Sequence, residues 1–233
     1  MRSTAVLDDK SIIIIAGPTA SGKTDFAIKC AQKLNGEIIS ADSRQIYRYL
    51  ALGTAQPTDK QRKAVRHHLI DFLEPDRIFD TGTFVRLANQ TIQNILKRGK
   101  RPIIVGGTGL YIKALVDGLA PLPQRDERIR EKLQNFIQKK GLANLYNWLL
   151  KIDPETAEKI DPKNPARIIR AMEVYLITGK GMAYHHNKTK PSEYSFNMIG
   201  LNPSKDILMK RIVKRTSRML KDGMIEETKK LLK

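Results

Sequence analysis

The first half of the chain alternates short runs of β-branched apolar residues with stretches in which apolar residues recur at helical spacing. This alternation is typical of a parallel sheet covered by helices on both faces. The apolar runs predict strands at residues 12–15, 37–40, 68–72, 102–105 and 196–201, and helical spacing predicts helices at 25–34 and 83–97. The pattern therefore predicts an α/β fold.

The pattern changes after Gly118, where proline turns are followed by helical stretches near residues 129–139, 142–150 and 167–177. Asp153-Pro154 and Asp161-Pro162 each indicate a turn, or an N-cap with proline at the first helical position. Residues 205–233 are predicted to form one long basic helix. The predicted organisation is an α/β core at 1–117, an all-helical insertion at 118–193, and a returning strand with a C-terminal helix at 194–233.

A phosphate-binding loop follows the first predicted strand and precedes the first predicted helix. Its residues match the P-loop pattern throughout: Gly17, Pro18, Thr19, Ala20, Ser21, Gly22, Lys23 and Thr24. The glycines allow backbone N–H groups to surround a phosphate, Lys23 adds a positive charge, and Thr24 is a candidate ligand for Mg²⁺. The strand–loop–helix context makes a chance match improbable.

The carboxylate that ATP-cleaving P-loop proteins place after a later strand is missing here, because the strand at 102–105 is followed by Gly106, Gly107 and Thr108. Asp42 instead follows the second strand, at the sheet edge where α/β proteins bind ligands. Its side chain is either a metal-coordinating or proton-accepting group, or simply the cap of a turn.

Composition favours a polyanionic partner, since 42 Lys and Arg against 24 Asp and Glu leave a net charge of +18. Nucleic acid is the first candidate, and a merely basic surface is the alternative.

Cys30 is the single cysteine, so an internal disulfide is excluded and a reducing cytoplasm is expected. No apolar run is long enough to cross a membrane, and the His67-His68 pair is interpreted as structural.

Several ordered segments carry a more specific signal. The chain contains DSRQIY at 42–47, GTAQPT at 53–58, HHLID at 67–71, GGTGLY at 106–111, PLP at 121–123, RIIRAMEVY at 167–175 and TGK at 178–180. Together with the P-loop, these segments resemble the signature of the tRNA dimethylallyltransferase family across nearly the whole chain. The resemblance implies a P-loop NTPase-like core carrying a helical tRNA-binding insertion.

The resemblance also implies a reaction: transfer of a dimethylallyl group from dimethylallyl diphosphate to the exocyclic N6 amine of the adenosine immediately 3′ of the anticodon. In this family the P-loop holds the diphosphate. Asp42 would act as general base or orienting acceptor, and Thr108 would hold the bridging side of the diphosphate. Lys23, Thr24 with Mg²⁺, and Arg215 would offset the charge on the leaving diphosphate.

The same resemblance implies contacts with the tRNA anticodon stem-loop. The residues concerned are Asp42, Ser43, Arg44, Gln45, Arg130, Ala166, Arg167, Ile168, Ile169 and Arg170, with Ala166 standing where the family usually carries glutamine. A monomer is expected, and the chain is expected to be shorter at its C-terminus than the family. Three alternatives stay open: a small-metabolite kinase, a tRNA-binding homologue inactivated by truncation, and an enzyme that prenylates free adenine nucleotides.

Overall fold

A computed structural model describes residues 11–232 of the chain. Within these residues it contains five strands and eleven helices. The strands are β1 (Ile12–Ala16), β2 (Gly36–Ser40), β3 (His67–His68), β4 (Arg101–Gly106) and β5 (Phe196–Gly200). The helices are α1 (Lys23–Lys33), α2 (Asp59–Ala64), α3 (Thr81–Lys97), α4 (Gly109–Asp117), α5 (Glu127–Lys140), α6 (Leu142–Ile152), α7 (Pro154–Lys159), α8 (Pro165–Thr178), α9 (Met182–His186), α10 (Lys205–Lys221) and α11 (Met224–Leu231).

The five strands form one sheet in the order β3-β2-β4-β1-β5, and every pairing is parallel. Alternate residues of β1 face opposite sides of this sheet. Ile12 and Ile14 pack with residues of α3 and α4, whereas Ile13 and Ile15 pack with residues of α1. Helices therefore cover both faces, and the predicted α/β class with a parallel sheet is confirmed.

The chain divides into two compact units. The first takes in the described residues up to Val116 and from Ser192 onward, and it holds the sheet. The second is Asp117–Pro191, and it is helical throughout. Its core is built from α5, α6, α7 and α8, with residues such as Leu133, Leu149 and Met172 fully or almost fully buried. The assignment of 118–193 as a tRNA-binding insertion stays a prediction.

The two Asp-Pro pairs of the second unit take different roles. The Asp153 side chain accepts the Thr156 N–H at the start of α7, and Pro154 occupies the first helical position, as predicted. Asp161 instead accepts the Lys163 N–H in a turn. Asn164, followed by proline, provides the N-cap of α8.

Two sequence predictions about secondary structure are wrong. The strand expected at 68–72 covers only His67–His68, because Leu69 and Asp71 adopt φ values of +58° and +57° and leave the extended region. The single helix expected from residue 205 is interrupted after α10, where Gly223 takes φ +98° and the chain turns into α11. Over residues 11–232, the structure has no helix with both the length and the apolar content that crossing a membrane requires.

Candidate active site

The P-loop connects β1 to α1 and depends on its two glycines. A Cβ on Gly17 would lie 2.4 Å from the Leu201 carbonyl oxygen, so only glycine allows the loop to pass this close to the chain after β5. Gly22 takes φ +95° in the left-handed region and is the N-cap of α1. The loop therefore presents the N-terminus of an 11-residue helix to the sheet edge, which is a favourable place for an anion.

The Lys23 ammonium group lies over this loop. Its Nζ donates to the carbonyl oxygens of Gly17 and Pro18 over 2.8 and 2.7 Å. Burial lowers the pKa of Lys23, the charge of Asp42 opposes that change, and the charge of Arg215 adds to it. Both of these predicted site residues are therefore close enough to act on the Lys23 charge.

Asp42 follows β2 directly and is held in a defined orientation. Its Oδ1 accepts the Arg44 N–H over 2.8 Å and the Gln45 N–H over 3.4 Å, which is the geometry of an Asx turn. The structure thus confirms that the Asp42 side chain caps a turn. It does not exclude a chemical role, because the same carboxylate lines the cleft beside the P-loop.

Thr108 and Gly106 tie the end of β4 to the end of β2. The Thr108 hydroxyl accepts the Ser43 N–H over 3.0 Å, and the Thr108 N–H donates to the Ala41 carbonyl over 3.2 Å. A Cβ on Gly106 would lie 2.0 Å from that same Ala41 oxygen. Close approach of the two strand ends therefore requires glycine at 106.

These groups share one cleft of about 1130 Å³. Because β4 lies between β1 and β2, the P-loop and Asp42 are separated by two strand spacings, about 10 Å. Gly106 and Gly107, at the end of β4 between the P-loop and Asp42, line the cleft and carry no side chains. The arrangement leaves room for a phosphate-containing ligand on one side and a second reactant, facing the carboxylate, on the other.

Helix α10 adds positive charge to the phosphate side of the cleft. Arg215 Nη1 donates to the Thr19 hydroxyl over 3.2 Å. Arg211 Nη1 donates to the Ser21 carbonyl over 3.2 Å, and the guanidinium lines the same cleft. Arg211 is not among the site residues predicted from the sequence. Its signal was its position four residues before Arg215, which puts both side chains on one face of the helix.

The segment predicted to meet the target base is only partly free to do so. Arg44 is exposed and lines the cleft. Gln45 donates through Nε2 to the Ala55 carbonyl over 3.0 Å, and its Oε1 accepts from Ser40 Oγ over 3.3 Å. The Gln45 side chain therefore holds local structure, and its contact with tRNA stays a prediction.

Most of the tRNA-contact residues predicted in the second unit have internal partners. Glu173 is fully buried and accepts from Arg130 over 3.2 Å and from Arg170 over 2.7 Å. Ile168 and Ile169 are buried in the helical core. Ala166 and Arg167 are exposed, so among the six residues predicted here these two are at the surface.

The histidine pair has a structural role, as expected. His68 Nε2 lies 2.7 Å from Glu37 Oε2, and His67 Nδ1 lies 2.8 Å from the Val65 carbonyl. Glu37 is almost fully buried and also pairs with Arg98 and Lys100. Across residues 11–232, no group of three or more His, Cys, Asp or Glu side chains could hold a metal ion.

Comparison with known proteins shows the family to which the chain belongs. The family model described as IPP transferase matches residues 45–233, well over half of the chain. The chain belongs to the IPP transferase family. The match confirms the resemblance to this family.

Individual members of the IPP transferase family align over almost the whole chain. It is 48% identical over 221 residues to the tRNA dimethylallyltransferase of Aquifex aeolicus, with 95% of this chain and 72% of that protein covered. It is 43% identical over 225 residues to the tRNA dimethylallyltransferase of Acetivibrio thermocellus, with the same coverage. The chain thus spans about seven-tenths of the length of these relatives.

Solved structures of the IPP transferase family share the fold. The tRNA isopentenylpyrophosphate transferase of Bacillus halodurans is 40% identical, with a TM-score of 0.65 over 96% of this chain and 70% of that one. A eukaryotic dimethylallyltransferase, solved as it acts on tRNA, is 30% identical, with a TM-score of 0.81 over 96% of this chain and 56% of that one. The predicted P-loop-type architecture is confirmed by these neighbours.

Proposed function

We propose that this protein transfers a dimethylallyl group from dimethylallyl diphosphate to the exocyclic N6 of the adenosine immediately 3′ of the anticodon in tRNA. The observation that carries the proposal is the shared cleft, in which the P-loop and Asp42 face each other across Gly106 and Gly107. A transferase of this kind needs a diphosphate site and a proton acceptor close together. The family assignment and the names of the relatives support the same reaction.

The P-loop side of the cleft suits a leaving diphosphate. The backbone N–H groups of the P-loop residues other than Pro18, together with the start of α1, provide fixed positive potential, and Lys23 and Arg215 add full charges. Negative charge grows on the diphosphate as its bond to the prenyl carbon breaks. Donors that are already oriented stabilise this charge without reorganising during the reaction.

Mg²⁺ fits the donor chemistry of this cleft. Thr24 lines it and offers a hydroxyl oxygen, a type of ligand that Mg²⁺ accepts. Because no larger cluster of metal-binding side chains exists within residues 11–232, most ligands would come from diphosphate oxygens and water, as is usual for this ion. When bound, Mg²⁺ supplies charge that stabilises the departing diphosphate.

Asp42 is proposed to act as the base for the acceptor, the adenine amine of tRNA. The adenine amine is a weak nucleophile, since its lone pair is delocalised into the ring, and it must lose a proton as the carbon–nitrogen bond forms. The N–H groups of Arg44 and Gln45 fix one oxygen of the Asp42 carboxylate, so the group is already oriented. A positioned base of this type contributes typically about 10²–10⁴-fold in rate.

The basic character of the chain supports tRNA as the acceptor. A net charge of +18 favours a polyanion, and anticodon-loop bases are single-stranded, so the target adenine can enter the cleft at low cost. We assign tRNA binding to Arg44, to the insertion at 118–193 and to its exposed Arg167.

The protein is proposed to act as a monomer. A kinase is disfavoured, because β4 ends at Gly106 and is followed by Gly107 and Thr108, where a carboxylate would be needed.

Labelled dimethylallyl diphosphate and a divalent metal ion, offered with tRNA or with AMP, test this function. We expect label in tRNA and not in AMP. Lys23→Met should reduce transfer at least tenfold, whereas Lys33→Met, at an exposed position on the same helix, should leave transfer unchanged. Label only in AMP, ATP turnover without RNA, or tRNA binding without transfer would each contradict the proposal.

A further inference from the structure

Glu227 on α11 holds a loop that is distant in sequence. Its Oε1 accepts the Leu52 N–H and its Oε2 accepts the Gly53 N–H, both over 2.8 Å, across 175 and 174 residues of chain. Both carboxylate oxygens are used, and hydrogen bonds to an ionised acceptor are roughly twice as strong as neutral ones. The contact is therefore an anchor between α11 and residues 49–58, which we call the cleft loop.

The cleft loop has a backbone that needs such an anchor. Tyr49 and Ala55 adopt φ values of +63° and +52°, in the left-handed region that residues with a side chain seldom occupy. Each such backbone conformation is strained and persists only where surrounding contacts enforce it. Glu227 provides two of these contacts, both on residues between Tyr49 and Ala55.

The cleft loop in turn is bonded to the segment that carries Asp42. Gln56 Nε2 donates to the carbonyls of Gln45 and Tyr47 over 3.0 and 2.8 Å. Gln45 Nε2 donates back to the Ala55 carbonyl over 3.0 Å. A hydrogen-bonded connection thus leads from Glu227 through the cleft loop to Gln45, whose N–H is one of the two that orient Asp42.

The helices α10 and α11 contact two parts of the cleft. Arg211 and Arg215 on α10 donate to the P-loop, and Glu227 on α11 accepts from the cleft loop. Residues 54–58 of the cleft loop line the same cleft as the P-loop. Since Gly223 alone separates α11 from the end of α10 and its capping residue, the two helices fix the P-loop relative to the cleft loop.

We propose that Glu227 is a positioning residue. By holding the cleft loop at Leu52 and Gly53, it keeps the Asp42 carboxylate at a fixed position relative to the P-loop. This inference rests on the proposed function, because Asp42 is taken as the acceptor's base. A displacement of about 1 Å in a catalytic group costs up to about 10²-fold in rate. Loss of the anchor should therefore lower kcat and leave diphosphate binding, which depends on the P-loop, unchanged.

The test compares Glu227→Ala, Glu227→Gln and the matched control Glu226→Gln, whose side chain is exposed one residue away. We expect Glu227→Ala to lower kcat for prenyl transfer roughly tenfold, Glu227→Gln to lower it less because one acceptor oxygen remains, and Glu226→Gln to match the parent. Affinity for inorganic diphosphate should stay within about twofold of the parent in all three.

Amide hydrogen exchange of the protein without substrates separates this inference from the proposed function. Exchange at Leu52 and Gly53 should accelerate at least tenfold in Glu227→Ala, with other amides of the sheet unchanged. A parent without transfer activity would overturn the proposed reaction and the positioning role with it, while the exchange data would still report on the anchor. Unchanged kcat in Glu227→Ala, equal loss in Glu226→Gln, or unaltered exchange would each overturn the inference.

Discussion

The Thr108 hydroxyl accepts a hydrogen bond from the Ser43 N–H over 3.0 Å and joins two strand ends that are 65 residues apart in the chain. Ser43 follows Asp42 directly, so this bond helps to set where the Asp42 carboxylate lies. The resemblance to the family implied a diphosphate contact for Thr108. The structure adds two internal contacts for the same hydroxyl, which accepts the Ser43 N–H and donates to Ser43 Oγ over 3.4 Å. A diphosphate contact would replace the second, longer bond and leave the first in place.

Replacing Thr108 by valine should lower kcat for prenyl transfer roughly tenfold, since the Ser43 N–H loses its acceptor while the side-chain volume is kept. Thr108→Ser is the matched control, because it keeps the hydroxyl and should stay within about threefold of the parent. Steady-state transfer assays with both variants provide the measurement. A valine variant as active as the serine variant would show that the hydroxyl is dispensable.

Gly106 should tolerate no larger residue. The Cβ of Gly106→Ala would lie 2.0 Å from the Ala41 oxygen, and both partners belong to backbone that cannot move aside cheaply. We expect a loss of roughly 2–4 kcal/mol in the free energy of unfolding, measured by urea denaturation. Gly200→Ala on β5 is the control, since its Cβ meets nothing within 4 Å and its effect should stay within about 0.5 kcal/mol. Equal stability of the two variants would contradict the close approach.

Glu37 should make stability depend on pH in the acid range. Burial alone would raise its pKa, but hydrogen bonds from His68, Lys100 and Arg98 lower the pKa to about 2, against an ordinary value of 4.5. The folded state thus favours the ionised form, so the contribution of Glu37 is complete above about pH 4.5 and is lost as the pH falls toward 2. At neutral pH this shift corresponds to roughly 3 kcal/mol.

Urea denaturation of the parent and of Glu37→Gln at several pH values measures this dependence. The difference in unfolding free energy should be largest near pH 7 and should shrink between about pH 4.5 and pH 2. Glu74→Gln is the matched control, because Glu74 pairs with Arg48 at an exposed site and its loss should change stability little at any of these pH values. A difference that stays constant over this range would contradict the ion-pair account.

The parts of the site that depend on local signals could be predicted from the sequence. A run of isoleucines followed by the P-loop pattern indicated β1, the loop and α1, and Asp42 was recognised from its place after β2. The start of α2 was missed although its signal was present, since Thr58 and Gln61 form a capping box. The break at Gly223 was missed in the same way, because the Asp-Gly pair at 222–223 is a turn signal.

Other parts could not be read from local pattern, because they depend on contacts between distant segments. Residues after His68 looked like a strand, but the N–H groups of Asp71 and Phe72 donate to Gln45 and Ile46 outside the sheet. Arg130 and Arg170 are predicted to contact tRNA, and this stays a prediction, but the sequence did not show that a buried carboxylate on α8 pairs with both. A cation's charge is visible in the sequence, whereas its partner is set by the fold.

The central claim, that Asp42 serves the acceptor across the cleft from the diphosphate, is tested most directly by the single-turnover rate of Asp42→Asn with tRNA bound. Asparagine keeps the side-chain oxygen that the Arg44 and Gln45 N–H groups require, but it removes the proton-accepting carboxylate. The account predicts a transfer rate at least tenfold below the parent, with tRNA affinity close to normal. A transfer rate equal to that of the parent would contradict it.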